Sequence, residues 1–142
     1  MLKEQMQAIL EDNVPLMTNL SNAAAVLNLL PEINWCGFYL VEKDHLYLGP
    51  FQGEAACTII MKGHGVCGTS LQQKKSIRVD DVNQFPGHIA CSAKSKSELV
   101  VPIFKGDEVV ALIDIDAPIY GRFDDALQKE IEEISVILSK LF

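Results

Sequence analysis

Two sets of side chains in this 142-residue sequence could do chemistry: four cysteines, at 36, 57, 67 and 91, and three carboxylates, Glu98, Asp114 and Asp116. Asp114 and Asp116 end the apolar run Val109-Val110-Ala111-Leu112-Ile113-Asp114-Ile115-Asp116. On a strand, residues two apart share a face, so the two carboxylates stand side by side while Ile113 and Ile115 point the other way. Crowded and partly desolvated, such a pair raises the pKa of one member and readies it to donate a proton. The simpler reading is a strand end whose aspartates face water. Glu98, just before the run 99–105, reads either as a solvated strand start or as a carboxylate for a cation.

The cysteines admit three readings. They are too few for a disulfide-built scaffold, which leaves core packing, metal ligation or reactive thiols. Two His-x-x-Cys units, His64 to Cys67 and His88 to Cys91, invite a zinc site, but neither contains a Cys-x-x-Cys knuckle, and both histidines read more simply as loop residues near turns. The expectation is no metal. In the redox reading one thiolate attacks and a second thiol resolves the oxidised sulfur. Cys91 fits the attacker, with His88 before it and Lys94 and Lys96 after it. Cys67 opens a probable helix, whose dipole favours thiolate, and Cys57 heads a strand. Cys36, between Trp35 and Gly37 in an apolar strand, reads as core packing. Trp35, the only tryptophan, is either a core aromatic or a wall for an apolar or sulfur-bearing ligand.

The elements that must position these groups follow from patterning. Residues 1 to about 30 read as helix, with Pro15 where a second helical segment begins and Pro31 as the stop. Residues 34–42 and 46–48 form a hairpin closed by Gly49-Pro50. A short strand at 58–61, a short helix ending at Lys75 and a strand at 77–79 come next. Residues 80–96 are polar and lack periodicity, a loop of the length that is usually functional or disordered. Two β-prone runs, 99–105 and 108–116, joined by Gly106-Asp107, should be central strands. From Asp124 onward, Leu127, Ile131, Ile134, Leu138 and Leu141 recur at helical spacing. Hairpins in place of βαβ crossovers give an α+β fold, one domain over 1–142 on a largely antiparallel sheet, with the N- and C-terminal helices packed on one face.

Composition narrows the functional classes. With 49% apolar residues the chain can bury one substantial core. Twelve basic against nineteen acidic residues give a net charge of −7, which repels phosphate backbones and anionic lipids and argues against nucleic acid and membrane partners. The start shows no export signal, so a cytoplasmic protein is expected.

Taken together, Asn34-Trp35-Cys36-Gly37-Phe38-Tyr39, Gly65-Val66-Cys67-Gly68-Thr69, Asp81-Val82-Asn83, Pro86-Gly87-His88-Ile89-Ala90-Cys91, Ser97-Glu98-Leu99-Val100-Val101-Pro102 and Asp114-Ile115-Asp116 resemble the free methionine-(R)-sulfoxide reductases, stand-alone GAF-domain enzymes. The resemblance covers essentially the whole chain. It implies a single GAF domain that reduces free methionine-(R)-sulfoxide with electrons from a thioredoxin-type donor and without a cofactor; a homodimer stays an open alternative to the single chain. It implies Cys91 as nucleophile and a resolving thiol drawn from Cys57 and Cys67, Cys57 preferred. Trp35 would pack against the methyl-sulfoxide end, and Glu98, Asp114 and Asp116 would hold the amino group and the sulfoxide oxygen. His64 stands where the family leads one to expect Arg or Lys. The competing readings are a sensory GAF domain that binds a small molecule without transforming it, and a zinc-stabilised fold.

Overall fold

The computed structural model describes residues 1–88 and 93–142. Helices α1 (Leu2–Ile9) and α2 (Leu16–Leu27) lead into strands β1 (Trp35–Glu42), β2 (His45–Gln52) and β3 (Ile59–Met61). Helix α3 (Gly65–Gln73), strands β4 (Ile77–Val79), β5 (Ser97–Lys105) and β6 (Glu108–Ala117), and helix α4 (Asp125–Ser139) complete the chain. The strands form one six-stranded sheet in the order β3-β2-β1-β6-β5-β4, and every pairing is antiparallel.

Alternation along the central strands divides the interior in two. One face of the sheet presents Cys36, Phe38, Leu99, Val101, Ile103, Ile113 and Ile115, which pack with Met6, Leu20, Leu27, Ile131, Ile134 and Leu138 of α1, α2 and α4. The terminal helices therefore share a face, as the patterning requires. Intervening residues of the same strands, among them Trp35, Tyr39, Val100 and Leu112, pack on the opposite face with Val66, Cys67 and Leu71 of α3. Each strand thus anchors itself through one face and offers the other to a site.

Local chemistry sets the element ends. The first 30 residues form two helices because α1 closes at Ile9 and α2 opens directly after Pro15. The buried Asn19 side chain holds the connection, accepting from the Glu11 N–H at 3.0 Å and donating to the Glu11 carbonyl at 2.8 Å. At α4 the Asp124 carboxylate accepts from the Leu127 N–H at 2.8 Å, an N-cap that satisfies one of the first-turn donors. One expectation fails: Gly49-Pro50 does not close the first hairpin, since β2 runs on to Gln52. Gly37 pairs with Phe51 and Tyr39 with Leu48, so two residues of β2 face the single Phe38 in a bulge. Pro50 lies in that bulge, where a missing ladder N–H is tolerated.

The bulge brings β2 hard against Gly37. A Cβ at residue 37 would collide with the Phe51 Cβ and approach the Phe51 Cα at 2.8 Å and the Pro50 carbonyl oxygen at 2.9 Å. Backbone cannot yield as a flexible side chain can. The variant Gly37→Ala is therefore expected to lose about 1–3 kcal/mol of stability in chemical denaturation, the cost of overpacking; unchanged stability would show that the bulge relaxes.

Candidate active site

The site is built where β1, β6 and β5 lie side by side. Register places Trp35 opposite Asp116, Gly37 opposite Asp114 and Tyr39 opposite Leu112 across β1 and β6. Across β5 and β6, Glu98 stands directly opposite Asp116 and Val100 opposite Asp114. Directly opposed side chains in an antiparallel pair have Cβ atoms about 5 Å apart. The three carboxylates therefore crowd onto one patch of the sheet.

A cavity of about 50 Å³ opens over this patch, several times the space needed by one water. Trp35 and Tyr39 line it from β1, and Glu98, Asp114 and Asp116 from β5 and β6. His64, Gly65, Val66 and Cys67 close it from the start of α3, with Ala55, Ala56, His88 and Ser95 on the connecting segments. Gly68 allows α3 to sit this close, since a Cβ there would run into the Met61 carbonyl oxygen. No lysine or arginine lines the cavity among the described residues.

Glu98 and Asp114 are buried at 7% and 5% exposure. Burial is the main cause that pushes all three carboxyl pKa values up, because desolvation disfavours the charged form. Glu98 is raised well above its ordinary value, with the charges of Asp114 and Asp116 adding to the effect of burial. Asp116 is also raised well above the usual range by burial and then by Asp114. Asp114 is raised by burial, while hydrogen bonds from Glu98, Cys67 and Asp116 pull it back down. The mutual hydrogen bonds thus favour the ionised form of Asp114 and the protonated form of Glu98. One oxygen each of Asp114 and Asp116, both Oδ1, is buried without a hydrogen-bond partner.

The thiols differ from one another. Cys36 is fully buried in the helix-side core, and burial pushes its thiol up to about 12, in agreement with a packing role. Cys67 lies near the N-terminus of α3, where the dipole alone favours thiolate. The structure reverses that expectation: Cys67 is 4% exposed, and burial followed by the charges of Asp114, Glu98 and Asp116 raises its pKa well above the ordinary thiol value. Its Sγ and one carboxylate oxygen each of Glu98 and Asp114 lie within 4.8 Å of one another. Both Cys36 and Cys67 are free thiols, whereas Cys57 is disulfide-bonded. Cys91 lies outside the described residues. His88 has its pKa lowered by burial, partly offset by the Asp114 charge.

Trp35 is 3% exposed and stacks between Phe51 and Tyr39, with ring centroids at 5.3 and 6.1 Å. Its indole N–H donates to the Glu54 carbonyl at 3.0 Å, and the Tyr39 hydroxyl donates to the Cys57 carbonyl at 2.8 Å. The two aromatics that wall the cavity also hold the 54–57 segment. Lys94 pairs with Glu54 at 2.5 Å and so ties the long loop to that segment. At the base, the Asn34 side-chain amide donates to the Ser95 hydroxyl at 3.2 Å. The sequence reading missed Tyr39, although its place four residues after Trp35 puts both on one strand face. The backbone contacts to residues 54 and 57 carry no sequence signal.

Raised carboxyl pKa values are a stability statement. A carboxylate whose folded pKa exceeds its unfolded value contributes stability at low pH that is lost as pH rises from the unfolded to the folded pKa. Removing one charge should therefore help only above about pH 4, the unfolded aspartate value. The variant Asp116→Asn is expected to raise the thermal midpoint at neutral pH, by roughly 3 °C for each kcal/mol of relieved strain. At acid pH the gain should disappear. A gain that is equal at all pH values would contradict this account.

Residues 16–140 match the family described as GAF domain. The free methionine-R-sulfoxide reductase of Escherichia coli is 40% identical over 99% of this chain and 86% of its own length. The protein of the same name from Saccharomyces cerevisiae is 41% identical over 94% of this chain and 79% of its own. Among solved structures, the reduced form of fRMsr from Staphylococcus aureus superposes with a TM-score of 0.94 at 51% identity, over 99% of this chain and 92% of that one. The free methionine-R-sulfoxide reductase of Neisseria meningitidis, solved in complex with its substrate, gives 0.95 at 39% identity, over 99% and 86%. Both the domain match and these near full-length relatives agree with the motifs and the fold: the chain belongs to the GAF-domain family and, within it, to the free methionine-R-sulfoxide reductases.

Proposed function

We propose that the protein reduces free L-methionine-(R)-sulfoxide to L-methionine, with Cys91 as nucleophile, Cys57 as resolving thiol and a thioredoxin-type protein as the source of electrons. The observation that carries this reading is a small cavity lined by three carboxylates of raised pKa, two of them buried, beside an aromatic wall whose Tyr39 hydroxyl holds the carbonyl of the disulfide-bonded Cys57. A sulfoxide needs such a floor, since its oxygen leaves only if it is protonated as the sulfur is attacked.

In this reading the Cys91 thiolate attacks the sulfoxide sulfur while Glu98 gives its proton to the oxygen. The sulfur–oxygen bond breaks, the oxygen passes to the Cys91 sulfur as a sulfenic acid, and methionine leaves with its sulfur reduced by two electrons. The Cys57 thiol then attacks the sulfenic sulfur and releases water as the disulfide forms. A donor dithiol reduces that disulfide by exchange and restores both thiols. Cys57 is favoured over Cys67 because it is the described cysteine engaged in a disulfide, while Cys67 is buried, free and held protonated. Asp114, whose ionised form is favoured by the hydrogen bonds it receives from its neighbours, suits the substrate ammonium. That group is absent from a methionine inside a peptide, so the acidic floor selects the free amino acid. Trp35 offers its ring to the methyl-sulfoxide end, a sulfur–aromatic contact of about 1 kcal/mol that orients the substrate. A purely sensory domain would account for the cavity but would give no task to the Cys57 disulfide.

Methionine formation from the free (R)-sulfoxide tests the assignments. The variant Cys91→Ser should form none. The variant Cys57→Ser should form about one methionine per chain and stop, while Cys67→Ser should keep turning over with thioredoxin; the reverse pattern would move the resolving role to Cys67. With Glu98 as the acid, kcat should fall as pH rises through its raised pKa. The variant Glu98→Gln should lose roughly a hundred- to ten-thousand-fold in kcat, the range for a general acid, and should lose that alkaline fall as well.

A further inference from the structure

The sequence offers zinc ligands only as His-x-x-Cys pairs, but the fold assembles a different set. Cys67 from the start of α3, Glu98 from β5 and Asp114 from β6 bring one sulfur and two carboxylate oxygens within 4.8 Å of one another, all three residues being buried. A second observation points to a missing ligand: Asp114, 5% exposed and part of the cavity lining, has a buried Oδ1 with no hydrogen-bond partner. The described lining contains no lysine or arginine to neutralise the acidic group. Buried carboxylates in that position favour a cation.

We infer that Cys67, Glu98 and Asp114 form a reversible binding site for a borderline divalent cation of the zinc type. One thiolate with two carboxylates is a donor set suited to Zn²⁺, which accepts sulfur and oxygen in tetrahedral geometry and leaves its fourth position to water from the cavity. Around zinc the donor atoms stand about 3.5 Å apart, as follows from bonds of about 2.3 Å to sulfur and 2.1 Å to oxygen. The set therefore contracts by about 1.3 Å at most, within reach of side-chain rotation. Magnesium is a poor occupant, because it demands six oxygens and keeps its waters. On binding, the Cys67 S–H bond and the Glu98 O–H bond break, both protons pass to solvent, and metal–sulfur and metal–oxygen bonds form with no change of oxidation state. The ion occupies the carboxylates proposed above to hold the substrate, so it competes with the free sulfoxide; this consequence, though not the site, rests on the proposed function.

The test uses the full chain in its disulfide-oxidised form, in which Cys57 is unavailable and no turnover occurs. Titration with Zn²⁺ alone is expected to show one ion per chain, and Cd²⁺ is expected to give the ultraviolet thiolate charge-transfer band of one sulfur. The variant Cys67→Ser, checked for native circular dichroism, should lose the band and bind Zn²⁺ at least about tenfold more weakly. Glu98→Gln, which leaves the thiol in place, should also weaken binding. Mg²⁺ should not compete. No bound Zn²⁺, or equal affinity in wild type and Cys67→Ser, would overturn the site. Adding free methionine-(R)-sulfoxide should raise the apparent Zn²⁺ dissociation constant. If Cys67-dependent binding persists but the sulfoxide does not shift it, the competition is overturned and the placement of substrate on these carboxylates fails with it.

Discussion

Three carboxylates share a desolvated patch of sheet with no lysine or arginine among the described residues that line it. Like charges directly opposed across an antiparallel pair are destabilising, and burial multiplies the cost. Burial raises every one of the three carboxyl pKa values and so opposes full ionisation of the patch, while the mutual hydrogen bonds raise Glu98 further and draw Asp114 back down. Carboxyls of the same chemical type are thereby set apart by environment alone.

The rest of the fold serves that patch. The strands bearing the carboxylates are central or next to central, and their alternate residues are locked into the apolar layer under α1, α2 and α4. The acidic residues thus sit on strands that cannot slide without exposing Ile113, Ile115 and Leu99. On the open side, α3 brings Cys67 and closes the cavity, and the ring pair Trp35 and Tyr39 supplies both its wall and its tether to the Cys57 segment. The wall and the Cys57 segment are parts of one hydrogen-bonded unit, tied through the Trp35 indole and the Tyr39 hydroxyl.

Much of this was legible in the sequence because it depends on period and chemistry. The two-residue spacing of Asp114 and Asp116 on a strand places both on one face, and the near-continuous apolar runs of β5 and β6 mark central strands buried on both faces. The helix pattern of α4 and the hairpin at Gly106-Asp107 are local. What was not legible is what depends on neighbours. No local signal sets Glu98 opposite Asp116; that follows from the β5–β6 register. The Cys67 thiolate expectation fails because a helix-terminus effect of about 1 kcal/mol is overcome by burial beside three acids, which only the packed structure reveals. The continuation of β2 through Gly49-Pro50 depends on a bulge paid for by Gly37, two residues that are distant in sequence and adjacent in space.

The central claim is that this acidic cavity performs stereospecific reduction of a free amino acid. Its most direct test is to offer the wild-type protein an equal mixture of the two sulfoxide epimers of free L-methionine with excess dithiothreitol, and to measure methionine and each remaining epimer by chiral chromatography. The account requires that the R epimer be converted to methionine and the S epimer remain. Conversion of both epimers, or of neither, would contradict it.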